Sequence, residues 1–137
     1  MLFRSIGSDV DILGGDIGVG AREVGYLFGQ YKRLTNSYDS IITSKPLSLG
    51  GSLVRNEATG YGLIYFTQKI LEDKGDTLKG KICVISGSGN VAIHAIEKLY
   101  DIGAIPVTCS DSKGTIHDSN GIDLALLKDI KIGRAHV

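Results

Sequence analysis

The sequence has little cysteine or proline, no excess of charge of either sign and no long apolar run. Its two cysteines, Cys83 and Cys109, are far apart and lack the spacing of metal ligands; each lies in an apolar stretch that reads as a strand, so buried free thiols are expected. Lys plus Arg equals Asp plus Glu at 15 each, which leaves no basic field to draw the chain to nucleic acid or anionic lipid. No apolar run is long enough to span a bilayer, and the N-terminus lacks the basic segment and apolar core of a signal peptide. A cytoplasmic protein with neither nucleic-acid nor membrane partners is therefore expected. His94, His117 and His136 form no ligand-like arrangement, so no metal site is expected, and there is no internal repeat.

What the chain has is glycine: 19 of its 137 residues, clustered at Gly14-Gly15, Gly18-x-Gly20, Gly50-Gly51, Gly60-x-Gly62 and Gly87-x-Gly89. Such clusters let backbone turn sharply or approach a ligand closely. Between them, Val24, Leu27, Phe28 and Tyr31 recur at helical spacing and predict a helix from about Gly20 to Arg33. Asn36 to Ser40 reads as a turn, and Ile41-Ile42-Thr43 as a short strand ending at Lys45-Pro46. A second helix is expected from Asn56, through Ala58, Tyr61, Ile64, Tyr65 and Leu71, to the charged stretch before Gly75. Lys81 to Ser86 then reads as a strand, Val91 to Tyr100 as a helix and Ile105 to Cys109 as a second strand, with Pro106 tolerated near its start. That order is β-α-β.

The turn inside this unit, Gly87-Ser88-Gly89-Asn90-Val91-Ala92, fits G-x-G-x-x-A, the first turn of a dinucleotide-binding unit, where glycines permit a tight bend and bring a pyrophosphate close to a helix N-terminus. The pattern alone is weak. It gains weight from the strand before it, the helix after it, and Asp111 at the end of the next strand, near the spacing of a ribose-contacting acid. The competing reading is an ordinary strand-to-helix turn. Asp111 suits a free ribose hydroxyl, whereas Ser112 and Lys113 suit a 2′-phosphate, so the turn by itself leaves NAD and NADP open.

Gly15-Asp16-Ile17-Gly18-Val19-Gly20-Ala21-Arg22-Glu23-Val24-Gly25 resembles a signature of the small hexameric glutamate dehydrogenases of the Glu/Leu/Phe/Val dehydrogenase family. Gly50-Gly51-Ser52-Leu53-Val54-Arg55, Glu57-Ala58-Thr59-Gly60-Tyr61-Gly62 and the run Ser86 to Ala92 resemble it as well, in the same order, and the likeness extends to about Leu127. It implies that Asp16 exchanges protons with the substrate amino group, a job that suits a carboxylate if it is partly buried. Local sequence alone favours a different role for Asp16, capping a helix beside a glycine turn. The resemblance further implies that Thr43 and Arg55 lie near the substrate, that Thr59 meets the nicotinamide carboxamide, and that Gly87, Ser88, Gly89, Asn90, Val91, Asp111 and Ser112 bind the cofactor.

The implied fold is α/β: residues 1–53 as the end of an N-terminal amino-acid dehydrogenase domain, then 54–131 as the first β-α-β unit of a Rossmann-type dinucleotide-binding domain. The implied reaction is the reversible NADP-dependent oxidative deamination of L-glutamate to 2-oxoglutarate and ammonia by a homo-hexamer. NADP is favoured because Ser110-Asp111-Ser112 resembles the small hexameric enzymes that commonly use it. The alternatives are an NAD-linked or other amino-acid dehydrogenase, or a non-catalytic dinucleotide-binding module. No lysine-bearing glycine motif precedes Asp16 and later strands of the second domain are missing, so a fragment, inactive alone, is expected. Leu13 stands where a proline is usual, and Ser44 and Pro46 replace glycines. Ile132 to Val137 departs from the family and matches a translated sequencing adapter, which predicts a non-native tail.

Overall fold

In the computed structural model, which describes residues 5–134, the chain divides into two units, Met1–Arg55 and Asn56–Val137. The first is organised by helix α1, Ala21–Thr35. Its start is fixed by Glu23, whose carboxylate accepts the Gly20 N–H at 2.9 Å and satisfies a donor that the first helical turn leaves open. Asn36 ends it in the left-handed conformation, donating its N–H to the Lys32 carbonyl. Val24, Phe28 and Tyr31, spaced one and two turns apart, are buried against Ile41 and Ile42, with Leu13 and Leu49 at the margin. Leu27 is exposed, so the buried stripe is narrower than the apolar pattern predicts.

The strand expected at Ile41 to Thr43 is a single parallel bridge between Leu13 and Ile42. Leu13 donates to the Ile41 carbonyl and Thr43 to the Leu13 carbonyl, both at 2.9 Å, and the ladder goes no further. Ser44 then takes a φ of +63°, the left-handed backbone that glycine adopts without cost. Serine at this position therefore holds backbone that a glycine would adopt without strain. Pro46 opens a 3₁₀ turn, Leu47–Leu49.

The second unit holds α2, Ala58–Asp73; β1, Ile82–Cys83; α3, Asn90–Ile102; β2, Ile105–Pro106; β3, Thr108–Asp111; β4, Gly114–His117; and α4, Leu124–Arg134. β1 and β2 pair in parallel and are joined through α3, while β3 and β4 form an antiparallel hairpin. The single strand expected over Ile105 to Cys109 is thus divided between two sheets. Pro106 has no N–H to give, and the Pro106 and Val107 carbonyls accept from Ile122 and Asp118, while the Val107 N–H gives the last ladder bond to the Cys83 carbonyl. β1 is also shorter than the expected Lys81 to Ser86, because beyond Cys83 its backbone bonds mainly to side chains of β3, with one backbone bond, from the Ser110 N–H to the Gly87 carbonyl. β4 and α4 were not expected.

Ile64 of α2 meets Leu78, Ala95, Leu99 and Ala104 in one core cluster; Ile96, Cys109, Ile122 and Leu127 form another, and Ile85 borders both. The thiols behave as expected, Cys109 buried and Cys83 half-buried, both free. Tyr65, expected on the buried face of α2, is exposed, and its ring lies 5.4 Å from the Lys98 ammonium. The contact between α2 and α3 is set by Gly60. A Cβ there would lie 2.7 Å from the Val91 carbonyl oxygen and 2.8 Å from the Ala95 nitrogen, both backbone atoms that cannot step aside. Of the Ile132 to Val137 tail, Ile132 to Arg134 continue the backbone of α4, and Ala135, His136 and Val137 lie outside the described residues.

Gly60 and Gly62 therefore make a paired test. Gly60→Ala should destabilise the second unit by about 1–3 kcal/mol through overpacking. Gly62→Ala, which meets nothing within 4 Å, should be neutral or stabilising by up to about 1 kcal/mol. Urea unfolding of the two variants checks this; equal effects would remove the close-approach argument.

Candidate functional site

In the first unit the Leu13–Ile42 bridge sets Thr43 beside the Gly14-Gly15-Asp16 phrase: the Thr43 hydroxyl lies 3.9 Å from where a Cβ on Gly14 would stand. Asp16 is exposed, and its carboxylate accepts the Ile17 N–H at 2.8 Å while its carbonyl closes a turn with Val19. It does not cap α1, whose start belongs to Gly20 and Glu23. The local reading of Asp16 as a helix cap is thereby excluded. Arg55 is exposed at the end of this unit and follows Val54, a β-branched residue held at φ +58°. Such backbone is strained.

In the second unit Gly87, at φ +94°, makes the bend from β1 toward α3 that a residue with a Cβ would resist. Gly89 is the N-cap of α3 and no side chain caps it, so the first N–H groups of the helix, on Asn90, Val91 and Ala92, keep their capacity to bind an anion. The Asn90 side-chain amide donates to the Asn56 carbonyl at 2.6 Å, tying the glycine turn to the segment that starts α2. Thr59 sits in the first turn of α2, exposed.

Across from the turn lies a groove of about 340 Å³, lined by Ser88, Ser110 and Asp111, by Lys113 and Thr115 of the hairpin, and by Lys131 of α4. Ser88 is 6% exposed, Asp111 sits at the mouth, and its carboxylate accepts the Lys113 N–H at 2.8 Å. The Lys131 ammonium stands 3.9 Å from the other Asp111 oxygen. Cys109, Ile116, Leu127 and Ile130 make the rest of the lining mainly apolar, and the hydroxyls, two ammonium groups and one carboxylate are its polar groups, suited to phosphates and a ribose. Ser112, at the tip of the hairpin turn, does not line this groove.

Lys131 was not found from the sequence. Its place depends on how α4 docks. Leu127 is buried against Ile96 and Cys109, and Lys128 pairs with Glu97 of α3 at 2.9 Å. The second Glu97 oxygen contacts His94 Nδ1, also at 2.9 Å. Lys128 first, and His94 after it, hold the Glu97 carboxyl below its ordinary value. His94 is thus structural, as expected, and His117 is exposed. Among the described residues, no group of His, Cys, Asp and Glu could hold a metal ion, and no helix is long and apolar enough to cross a membrane.

A parallel β-α-β unit with a glycine turn at its strand-to-helix bend defines an α/β protein. The chain belongs to the Glutamate/Leucine/Phenylalanine/Valine dehydrogenase family, whose model matches residues 50–137. An NADP-specific glutamate dehydrogenase of Helicobacter pylori strain J99 is 59% identical over 133 residues, covering 97% of this chain and 30% of its own length. An NAD(P)-specific glutamate dehydrogenase of Xylanibacter ruminicola is 55% identical over 139 residues, covering 97% and 31%. The solved structure of glutamate dehydrogenase 2 from Plasmodium falciparum matches with a TM-score of 0.85 at 51% identity, over 98% of this chain and 30% of that one. The chain therefore spans about 30% of the length of the curated relatives it matches, and the resemblance carried by its motifs is borne out.

The Glu97 pair gives a pH-dependent expectation. A carboxyl held below its ordinary value of 4.5 contributes stability that is complete above that value and lost as pH falls through the lower folded value. Glu97→Gln should therefore cost about 0.5–1 kcal/mol at neutral pH and almost nothing in strong acid. Unfolding curves at the two pH values check this; an equal deficit at both would assign the loss to packing.

Proposed function

We propose that this chain is part of a subunit of an NADP-dependent glutamate dehydrogenase of the cytoplasm, interconverting L-glutamate with 2-oxoglutarate and ammonia. The cofactor half rests on one observation above others: the N-terminus of α3, without a side-chain cap, follows the left-handed Gly87 turn, and Ser88 of that turn lines a groove with Ser110, Lys113 and Lys131. The substrate half rests on 59% identity, over nearly the whole chain, to an NADP-specific glutamate dehydrogenase. NAD is the alternative cofactor, favoured by Asp111 and by the NAD(P)-specific relative.

On this reading the second unit is the first β-α-β of a Rossmann-type domain and the first unit is the end of the domain before it. Gly87, Ser88, Gly89, Asn90 and Val91 receive the pyrophosphate, Asp111 and Ser112 the ribose and its substituent, and Thr59 the carboxamide. A bound nicotinamide supplies the hydride chemistry. Asp16, exposed and with one oxygen held by the Ile17 N–H, takes the proton from the substrate amino group in deamination and returns it in the reverse direction. Thr43, beside the same phrase, and Arg55 hold the substrate. Assembly into a homo-hexamer agrees with the large apolar side chains left exposed, among them Tyr26, Leu53 and Phe66.

The test is a spectrophotometric assay of the full-length gene product with 2-oxoglutarate, ammonia and either NADPH or NADH. Asp16→Asn should lower kcat at least about 100-fold, the usual weight of a positioned acid or base, with nucleotide affinity unchanged. Turnover with NADPH well above NADH supports the cofactor assignment. A folded protein that binds nucleotide but turns over no amino acid would leave only a non-catalytic dinucleotide-binding module.

A further inference from the structure

Resting on the dehydrogenase reading above, we propose that Lys45 is a positioning residue for the substrate: it orients the peptide group that precedes Thr43, and with it the Thr43 hydroxyl. Gly51, packed against the Lys45 backbone, is the residue that allows it to do so.

The Ile42 carbonyl and the Thr43 N–H belong to one planar peptide group. That group is held at both ends. Its N–H donates to the Leu13 carbonyl at 2.9 Å, and its carbonyl accepts from the Lys45 ammonium at 2.5 Å. A peptide plane fixed through its donor and its acceptor cannot rotate, so the direction in which the Thr43 side chain leaves the backbone is set. The Leu13–Ile42 bridge fixes the N–H side alone, and no backbone N–H among the described residues reaches the Ile42 carbonyl. Ile42 is 2% exposed, so water is a poor substitute for the ammonium there.

Lys45 reaches back three residues because the chain reverses at Ser44, whose φ is +63°. Lys45 is half-buried, and its ammonium lies 5.7 Å from the centre of the Phe28 ring in the core of this unit. Gly51 fixes its backbone from the other side. A Cβ on Gly51 would overlap the Lys45 carbonyl oxygen and stand 2.6 Å from the carbonyl carbon, while the Gly51 N–H donates to the Pro46 carbonyl at 3.1 Å. The Gly50-Gly51 pair thus lets the following segment close against Lys45. The Thr43 hydroxyl is left beside Gly14, in the phrase that ends at Asp16. Lys45 gives its hydrogen bond to the Ile42 carbonyl, and so acts on the substrate through Thr43.

The experiment is a double-mutant cycle in the full-length gene product, read by steady-state kinetics with 2-oxoglutarate, ammonia and NADPH. Lys45→Met keeps the apolar stem beside Phe28 and removes the donor. It should raise the KM for 2-oxoglutarate roughly fivefold with the KM for NADPH unchanged, and Lys45→Arg should stay close to the parent. Thr43→Ala should raise the same KM, and Lys45→Met added to it should change that KM by less than about twofold more. Lys45→Gln, whose amide is one atom shorter than the ammonium, should give the same split and replaces the Met variant if circular dichroism shows that one misfolded. An equal effect of Lys45→Met with and without the Thr43 hydroxyl overturns the proposal and leaves the dehydrogenase reading intact. A lowered thermal midpoint with an unmoved KM does the same, since it assigns Lys45 to stability alone. A folded parent that turns over no amino acid overturns both.

Discussion

Thr108 and Ser110 hold the second unit together where its backbone cannot. Past Cys83 the chain leaves the β1–β2 ladder, and the Thr108 hydroxyl takes over, accepting the Ile85 N–H at 2.8 Å and donating to the Ile85 carbonyl at 2.9 Å. Two residues on, the Ser110 hydroxyl accepts the Gly87 N–H at 2.8 Å, and Ser110 N–H returns a bond to the Gly87 carbonyl. The two side chains thus satisfy part-buried backbone groups that the ladder leaves without a partner strand. They also fix the start of the glycine turn against β3. The groove exists because its two walls, the turn and the hairpin, are tied by these bonds rather than by a continuous sheet.

The same arrangement links packing to chemistry. α3 leaves the glycine turn and must pass α2 closely enough for Gly60 to touch its backbone, and the far side of α3 carries Ile96 and Glu97 to α4. Turn, helix and groove wall are therefore coupled through one rigid element. Tyr100 adds a second restraint: its hydroxyl donates to the Ile122 carbonyl at 2.7 Å and pins the loop that leads into α4. Burial, followed by Asp118 and Asp123, raises the Tyr100 pKa, so the donor stays protonated across the ordinary pH range.

Helices were legible in the sequence and strands less so, for a physical reason. The expected helix at Gly20 to Arg33 is Ala21–Thr35, and that at Val91 to Tyr100 is Asn90–Ile102, because a helix satisfies its hydrogen bonds locally and its apolar period records its buried face. A strand needs a partner. Ile82 to Ile85 keep the alternation of a strand, but only Ile82 and Cys83 find a ladder, and Pro106 ends the pairing from the other side. The glycine turn was legible because its residues are contiguous, and Asp111 because the end of a strand is a local feature. Lys131, Glu97 and Lys128 were not. Their roles depend on α4 docking across α3 and β3, a contact that no local spacing encodes.

The alternation in β1 also bears on what the unit lacks internally. Ile82 and Val84 are 71% and 76% exposed, while Cys83 and Ile85 between them face the core. One face of the parallel pair is thus covered and the other is bare within this unit. Parallel strands are normally covered on both faces, since their crossovers place helices on each side. A bare apolar face on the strand that leads into the glycine turn therefore calls for a further layer of protein. This agrees with a chain that spans about 30% of its curated relatives. The cost of leaving that face in water falls on β1 itself, while α3 and the groove wall are secured by contacts the unit already contains.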